Sequence, residues 1–300
     1  MKQFYLAEIT TKDKLVHQGI YFEPKKKGKR AILWAHGLTD NFYGDMGLME
    51  ALVETLGKDG WGIASFNTRG HDVVSFIKKL DSLSPKGHTS MTIGAGYENF
   101  KECVYDIDAG IFFLEQQGFK EIIIAGASTG ANKVCYYAGT QNDPRVVGVI
   151  LVSPISDVPI ESQSKEYKPN LKQMKTLTKQ GKGDVLLDNV SYLALTPKRY
   201  LSLYDSGSVE DVFDYYNKKP KLTAFSNIKQ PLCIILAGSD EYTDRPVEEI
   251  LEVLKKHQHS ANFHSAIIPG AFHSFGGKEK EAIQAILDWL KSLNLQYRQY

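Results

Sequence analysis

Short runs of apolar residues alternate with amphipathic stretches along most of the chain. Residues 31–35 and 61–66 are apolar runs of strand length, and residues 46–56 between them have the spacing of an amphipathic helix. Residues 100–117 carry apolar side chains at helical spacing and lead into another apolar run at residues 121–125. Runs that are apolar throughout are typical of parallel strands buried on both faces. The pattern therefore predicts repeated strand, helix, strand units.

A different pattern precedes this alternation, which then continues towards the end of the chain. Residues 4–11 and 15–22 are rich in aromatic and β-branched residues and flank a polar turn, which predicts a hairpin. We expect later strands at residues 146–152, 232–237 and 265–268, and later helices at residues 133–138, 247–254 and 282–293. The whole pattern predicts an α/β fold with a mostly parallel central sheet and helices on both faces.

Residues 154–229 interrupt this rhythm. The segment is polar, has no strong strand pattern and is rich in tyrosine. Its tyrosines include Tyr167, Tyr192, Tyr200, Tyr204, Tyr215 and Tyr216. No internal repeat or low-complexity linker divides the chain. We therefore interpret residues 1–300 as one domain with a cap inserted at about residues 154–229.

The amino-acid composition and the net charge indicate which kinds of molecule the protein is expected to bind. The 300 residues are 42% hydrophobic and 24% charged, which is ordinary for a globular domain. The 36 lysines and arginines nearly balance 35 aspartates and glutamates, so the formal net charge of +1 provides no long-range field for nucleic acid or a membrane. The basic run at residues 25–30 is typical of a solvated loop. We expect neither nucleic acid nor a membrane as a partner.

The cysteines and the first residues bear on the location of the protein. Cys103, Cys135 and Cys233 are odd in number, widely spaced and outside any C-x-x-C pattern, so they indicate buried reduced thiols. The first residues lack the continuous apolar stretch of a signal peptide, and no later segment has the length to cross a bilayer. We expect a cytoplasmic protein.

The strongest chemical motif is Gly126-Ala127-Ser128-Thr129-Gly130, which fits G-x-S-x-G. It follows a predicted buried strand and precedes a predicted helix, whereas a packing turn with an incidental serine requires no such setting. A reversal this sharp strains the serine, and glycines two positions to either side leave room for it. We predict Ser128 as a nucleophile. The backbone N–H of Thr129, at the start of the helix, is a predicted oxyanion donor.

A second glycine turn follows the first predicted parallel strand. In the run that begins His36-Gly37-Leu38, the glycine exposes the next backbone N–H at the carboxyl edge of the sheet. Leu38 is therefore the second predicted oxyanion donor. His36 fits a hydrogen-bonding loop anchor better than a catalytic base, because the base must approach the serine from the other side.

A serine nucleophile needs a base, and the chain contains eight histidines. His273 lies in a loop after the last predicted strand, so it can reach the carboxyl edge where ligands bind. His257, His259 and His264 lie before that strand, at its opposite end. We predict His273 as the base.

The base in turn needs a carboxylate that holds its tautomer and stabilises its cation. Asp240 ends the segment Ala237-Gly238-Ser239-Asp240 after the preceding predicted strand, and is the predicted acid. Glu241 and Asp244 lie further beyond that strand end, and Asp157 follows a different strand. These three residues remain rivals whose simpler interpretation is a solvated loop charge.

Taken together, the two glycine turns, the Gly-x-Asp loop and the late histidine resemble the α/β-hydrolase superfamily over nearly the whole chain. The resemblance implies the chain order Ser, Asp, His that this superfamily shares. Residues 67–71 resemble its Arg-Gly-His loop, in which a loop hydrogen bond is the favoured role for His71. Ser-Thr-Gly at the elbow and the acid loop are similar to small capped hydrolases of the fungal siderophore esterase type. Ala127 departs from the larger residue often found before the nucleophile.

These features predict a serine hydrolase that cleaves a small-molecule carboxylic ester through an acyl-enzyme, without a metal or organic cofactor. The same triad serves an amidase, a thioesterase or an acyltransferase, and the residues do not separate these activities. A non-catalytic ligand receptor on the same fold is a further alternative, which the intact triad disfavours. The tyrosines of the predicted cap suit an apolar or aromatic group of the substrate.

Overall fold

The computed structural model describes residues 2–293. Strands of this part of the chain form one sheet in the order β10-β9-β8-β7-β3-β4-β2-β5-β6, with β1 paired to β2. The strands are β1 (Tyr5–Thr10), β2 (Leu15–Phe22), β3 (Arg30–Ala35), β4 (Gly62–Phe66), β5 (Ser75–Leu80), β6 (His88–Ile93), β7 (Glu121–Ala127), β8 (Val146–Val152), β9 (Leu232–Ala237) and β10 (Phe263–Ile268). The helices are α1 (Met46–Leu56), α2 (Cys103–Gln116), α3 (Thr129–Gln141), α4 (Val158–Glu161), α5 (Tyr167–Lys179), α6 (Pro197–Tyr204), α7 (Thr223–Asn227), α8 (Val247–His257) and α9 (Glu279–Ser292).

The sheet has a parallel part and an antiparallel part. Strands β10, β9, β8, β7, β3 and β4 run parallel to one another. Strand β2 is antiparallel to β1, β4 and β5. The predicted α/β fold, its mostly parallel sheet and its opening hairpin are confirmed.

Alternate residues of the parallel strands pack into separate cores on the two faces of the sheet. On one face Ile122 and Ile124 belong to a cluster that includes residues of α2, α3 and α8. On the other face Ile123 and Ala125 belong to a cluster that includes residues of α1 and α9. Such two-sided burial explains why these strands are apolar throughout.

The second antiparallel hairpin, β5–β6, was not predicted. In this hairpin Ile77 and Ile93 are buried against Leu15, while Phe76 and most other side chains face solvent. Each of these two strands has one buried residue, which is too few to produce the apolar and polar alternation that marks a strand in the sequence. Strands β5 and β6 therefore extend the sheet beyond β2.

Two further features concern the cysteines and the helices. Cys103, Cys135 and Cys233 are free and buried, as predicted. Among residues 2–293, no helix is both long enough and apolar enough to cross a bilayer.

Helices α4 to α7 lie between β8 and β9, in the segment that breaks the sequence pattern. Met174, Leu195, Tyr200, Leu203 and Tyr204 form a small core of their own within this β8–β9 segment. Leu38, from the loop after β3, packs against that core. The β8–β9 segment therefore contacts the carboxyl edge of the sheet, where the predicted site residues lie.

Candidate active site

The strand order brings the predicted site residues to one edge of the sheet. His273 follows β10, Asp240 follows β9, Ser128 follows β7, and Leu38 follows β3. All four strands are parallel, so their carboxyl ends meet at the same edge. Strand β8 lies between β9, which leads to Asp240, and β7, which leads to Ser128.

Ser128 occupies a strained turn between β7 and α3. Its backbone has φ of 54° and ψ of −129°, a conformation that non-glycine residues rarely adopt. A Cβ at Gly126 would clash with the carbonyl of Gly130, and one at Gly130 would clash with the carbonyl of Ala35. The two glycines are therefore needed for the turn, as the motif predicts. The backbone N–H of Ser128 donates to the last carbonyl of β8 at 3.0 Å.

The predicted oxyanion donors flank this serine. Thr129 begins α3, and N–H groups in the first turn of a helix have no partner within the helix. Gly37 lies against Ser128, because a Cβ at Gly37 would be 3.2 Å from the serine Cβ and 3.7 Å from its Oγ. The adjoining peptide, which carries the N–H of Leu38, is thus next to the serine hydroxyl.

His36 holds that peptide from the protein interior. Its Nε2 accepts the backbone N–H of Thr68 at 3.0 Å, which leaves the proton on Nδ1. Nδ1 then donates to the carbonyl of Gly37 at 2.9 Å. Burial and the nearby charge of Lys133 hold the pKa of His36 well below its usual value, so the ring stays neutral. The structure places His36 as a loop anchor, in agreement with the sequence-based preference.

Asp240 and His273 form a buried pair. Nδ1 of His273 lies 2.8 Å from Oδ2 of Asp240, and the carboxylate is inaccessible to solvent. The other carboxylate oxygen accepts the backbone N–H of Tyr242 at 3.0 Å. The ring of Tyr242 packs edge to face against the imidazole, with centroids 5.0 Å apart. These contacts fix the orientation of the imidazole and leave its Nε2 free of the acid.

The three rival carboxylates have other partners or none. Glu241 accepts the backbone N–H of His273 at 2.9 Å, so it holds the loop and not the ring. Asp244 forms an ion pair with Arg245 at 2.8 Å. Asp157 lies in the turn after β8, and its carboxyl has no hydrogen bond within residues 2–293. Of the four acids weighed from the sequence, Asp240 is the one bound to the His273 ring.

Contact between the predicted nucleophile and the predicted base is looser than contact between the predicted base and the predicted acid. Among residues 2–293 no hydrogen bond joins Ser128 to His273, although both lie at the same sheet edge. Hydrogen bonds between a nucleophile and its base are often long before substrate binds. His71, the other histidine considered near the site, pairs with Asp72 at 2.8 Å, which agrees with a loop hydrogen bond.

A buried ionic chain beneath the site was not anticipated from the sequence. Lys133 of α3 pairs with Glu98 at 2.8 Å, and Glu98 pairs with Arg199 of α6 at 3.0 Å. Arg199 also pairs with Glu210. All four side chains are almost completely inaccessible to solvent. Glu98 and Arg199 are 101 residues apart, so no local pattern signals their contact.

The ionic chain also reaches the loop after β3. Nζ of Lys133 donates to Oγ1 of Thr68 at 2.9 Å, and the backbone N–H of Thr68 is the partner of His36. Hydrogen bonds therefore run without a break from the β8–β9 segment to the peptide beside Ser128. The nearest sequence signal is the loop at residues 67–71, which contains Thr68 and resembles the Arg-Gly-His loop of the α/β-hydrolase superfamily.

Comparison with known proteins identifies the family of the chain. The family described as "Protein of unknown function (DUF1749)" matches residues 1–292. The chain belongs to that family. No curated protein matches the sequence.

Similar solved structures show the fold of the chain. The chain resembles the siderophore hydrolase EstB from Aspergillus fumigatus, with a TM-score of 0.67 and 18% identity over 98% of each chain. It also resembles the esterase PF2001 of Pyrococcus furiosus, with a TM-score of 0.60 and 20% identity over 97% of this chain and 91% of that one. For the monoacylglycerol lipase of Paleococcus ferrophilus the TM-score is 0.58, with 20% identity over 97% and 99%. The chain has the α/β-hydrolase fold.

Proposed function

We propose that the chain is a serine hydrolase that cleaves a carboxylic ester through an acyl-enzyme on Ser128. The observation that carries the proposal is the buried Asp240 carboxylate bound to Nδ1 of His273 at the same sheet edge as the strained Ser128. A histidine held in this way can accept a proton on Nε2 and return it to a leaving group. The fold neighbours, an esterase, a lipase and a siderophore hydrolase, support the reaction class.

In the proposed mechanism Oγ of Ser128 attacks the ester carbonyl while Nε2 of His273 removes its proton. The tetrahedral oxyanion accepts hydrogen bonds from the N–H groups of Leu38 and Thr129. His273 passes the proton to the leaving alcohol, the carbonyl re-forms, and the acyl group stays on Ser128. Water, deprotonated by His273, then attacks the acyl-enzyme and releases the acid.

We also propose that the β8–β9 segment, about residues 154–229, is a cap that borders the substrate. Its small core packs against Leu38, and its Arg199 is joined through buried ion pairs to the helix that follows the nucleophile. A cap anchored at its base in this way restricts how a substrate approaches Ser128. Its tyrosines supply aromatic surface for the acyl or alcohol group.

The first experiment tests the nucleophile. Wild type and Ser128→Ala are treated with a fluorophosphonate probe and assayed on nitrophenyl esters of increasing acyl length. Labelling of wild type alone, with turnover of esters, supports the proposal. Equal labelling of both proteins would show that the nucleophile lies elsewhere, and an unlabelled wild type would refute the serine hydrolase. Amide and thioester substrates of matched acyl length then identify the preferred bond.

The second experiment tests the acid with a matched pair of variants. Asp240→Asn should lower kcat by about 10⁴-fold, because the amide no longer favours the productive tautomer of the base. Asp244→Asn changes a carboxylate in the same loop that pairs with Arg245 instead. It should leave kcat within about threefold of wild type. The opposite ranking would reassign the acid.

A further inference from the structure

A cleft lies at the edge of the sheet opposite the candidate active site. It has a volume of about 720 Å³ and is bordered by the start of β1, the loop from β2 to β3, and the turn from α1 to β4. Strand β3 begins at Arg30 and β4 at Gly62, and the two are parallel, so the cleft adjoins the amino ends of the parallel strands. Ser128, Asp240 and His273 follow the carboxyl ends. The cleft is therefore separate from the candidate active site.

Backbone contacts hold the walls of this cleft together. The N–H of Gly28 donates to the carbonyl of Gly60 at 2.8 Å, which joins the β2–β3 loop to the turn after α1. Gly60 has a φ of 82°, and a Cβ there would be 2.8 Å from the nitrogen of Gly28. The ring of Phe22 lies so close to Gly57 that a Cβ on this glycine would be 2.8 Å from the ring. Two walls of the cleft are thus fixed against each other by close packing.

Lysine side chains supply most of the charge around the cleft. Four lysines line it, and they are Lys2, Lys25, Lys26 and Lys58. These lysines form no ion pair within residues 2–293. Glu23 also lines the cleft, but its carboxylate is already paired with Nζ of Lys27 at 2.8 Å. Ammonium groups around one cavity repel each other, and an anion between them removes that repulsion. The cleft therefore carries positive charge that the described part of the chain does not compensate.

Aromatic and apolar side chains form the other part of the lining. Tyr5 lines the cleft and is 49% exposed, so its ring is accessible to a ligand. Phe22 is half-buried and packs edge to face against Phe4, with ring centroids 6.2 Å apart. Val53 of α1 adds apolar surface beside these rings. Because every nucleobase has a π face, an exposed aromatic ring offers a stacking surface to any of them.

We propose that this cleft binds a phosphorylated small molecule that carries a flat ring, which is the chemistry of a nucleotide. Lysine binds phosphate as a point charge, and the lysines from the β2–β3 loop and the α1–β4 turn surround the phosphates. The ring of the ligand contacts Tyr5 and Phe22. The volume lies within the range of about 300–1,000 Å³ that small-molecule sites have. The inference goes beyond the proposed function, because no residue of the cleft belongs to the candidate active site.

Three probes separate the two parts of the proposed ligand. The whole chain is titrated calorimetrically with ATP, with tripolyphosphate, which lacks the ring, and with adenosine, which lacks the phosphates. We expect ATP to bind most tightly, and adenosine to bind at least about tenfold more weakly because it carries no charge. Added salt should weaken the binding of ATP. No binding of ATP at millimolar concentration, or equal binding of ATP and adenosine, would overturn the proposal.

A matched pair of variants tests the lysines. Lys25→Gln/Lys26→Gln removes two charges from the cleft and should raise the Kd for ATP by about tenfold or more. Lys78→Gln/Lys79→Gln makes the same change of net charge on two exposed residues of β5, and should keep the Kd within about twofold of wild type. Equal losses in the two variants would show that ATP responds to net charge alone, which contradicts a site in the cleft.

The ring is tested at Tyr5. Tyr5→Ala should weaken the binding of ATP by about fivefold or more and leave the binding of tripolyphosphate unchanged. Tyr5→Phe keeps the stacking surface and should restore the affinity for ATP. If Tyr5→Ala binds ATP as tightly as wild type does, the ring of the ligand does not lie in this cleft and the proposal is wrong.

Two further measurements distinguish the cleft from other sources of binding. Ser128→Ala should bind ATP as wild type does, and a loss of binding would place the nucleotide in the candidate active site instead. Sedimentation with phosphatidylglycerol vesicles tests an anionic membrane as the occupant. Binding to vesicles without binding to ATP would overturn the small-molecule ligand. Fluorophosphonate labelling of Ser128 reports separately on the hydrolase, so either proposal can fail while the other stands.

Discussion

His36 donates from Nδ1 to the carbonyl oxygen of Gly37, and the same peptide unit carries the N–H of Leu38. The C=O and N–H of a trans peptide point in opposite directions. By holding the carbonyl towards the interior, the neutral imidazole turns the Leu38 N–H outward, towards the side where Ser128 lies. The proposed oxyanion hole therefore depends on a residue that does not touch substrate.

Two substitutions at His36 separate its two hydrogen bonds. In His36→Asn the side-chain amide can occupy the place of Nδ1 and still donate to Gly37. In His36→Gln the amide reaches the place of Nε2 and keeps only the contact with Thr68. We expect His36→Gln to lower kcat by about 10²-fold with little change in KM, and His36→Asn to lose less. Steady-state kinetics on one ester checks the ranking, and His71→Asn serves as the control at a neighbouring histidine.

The strain at Ser128 predicts an exchange of stability for function. Glycine tolerates the positive φ of the elbow, whereas alanine keeps the strain of the serine backbone. Ser128→Gly should therefore be more stable than Ser128→Ala by about 1 kcal/mol, although both are inactive. Urea unfolding of the two variants measures the difference. A less stable glycine variant would mean that the elbow is relaxed in solution.

The ionic chain predicts a strong effect of removing one charge. Lys133→Met leaves Glu98 buried with one cation fewer, and should lower the free energy of unfolding by about 3–5 kcal/mol. Adding Glu98→Gln should recover part of the loss, because it removes the uncompensated charge. The exposed pair Lys198–Asp184, at 2.6 Å, is the control, and Lys198→Met should cost less than about 1 kcal/mol. Urea unfolding of wild type, Lys133→Met, Glu98→Gln, the double variant and Lys198→Met gives the comparison, and strictly additive losses at Lys133 and Glu98 would argue against coupling.

Asp157 predicts a pH dependence of stability with a defined sign. Its pKa rises from 3.8 to about 7 on folding, so the folded state holds a proton that the unfolded state has lost between these values. Stability is therefore highest, as far as this group is concerned, below pH 4, and it falls as pH rises towards 7. Asp157→Asn should be more stable than wild type at pH 8, with the difference vanishing near pH 4. Thermal unfolding at several pH values measures it, and a constant difference would place the carboxyl in a solvated setting.

How far the sequence predicts this structure depends on how local the determining contacts are. Helix α1, Met46–Leu56, has the predicted bounds because its apolar spacing lies within one segment. Ser128 was recognisable because strand, turn and helix adjoin it. Strands β5 and β6 were missed because few of their side chains are buried.

The site shows the same division. Asp240 and His273 follow strand ends, which sequence patterns locate, and the structure joins them as the chain order of the superfamily implies. The pairing of Glu98 with Arg199 joins two segments that are distant in the sequence, and no pattern in either segment predicts the contact. Asp157 was visible in the sequence only as a weak rival acid, because a missing partner leaves no pattern.

The ionic chain also limits how the β8–β9 segment can be exchanged between relatives. Arg199 and Glu210 belong to that segment, whereas Glu98 and Lys133 belong to the body of the fold. A transplanted segment without an arginine at the position of Arg199 would leave the buried carboxylate of Glu98 with one cation fewer. A segment that keeps the arginine but lacks Glu210 would leave that arginine with one carboxylate fewer. Chimaeras that exchange this segment to change substrate range must therefore keep the residues at all four positions matched to one another.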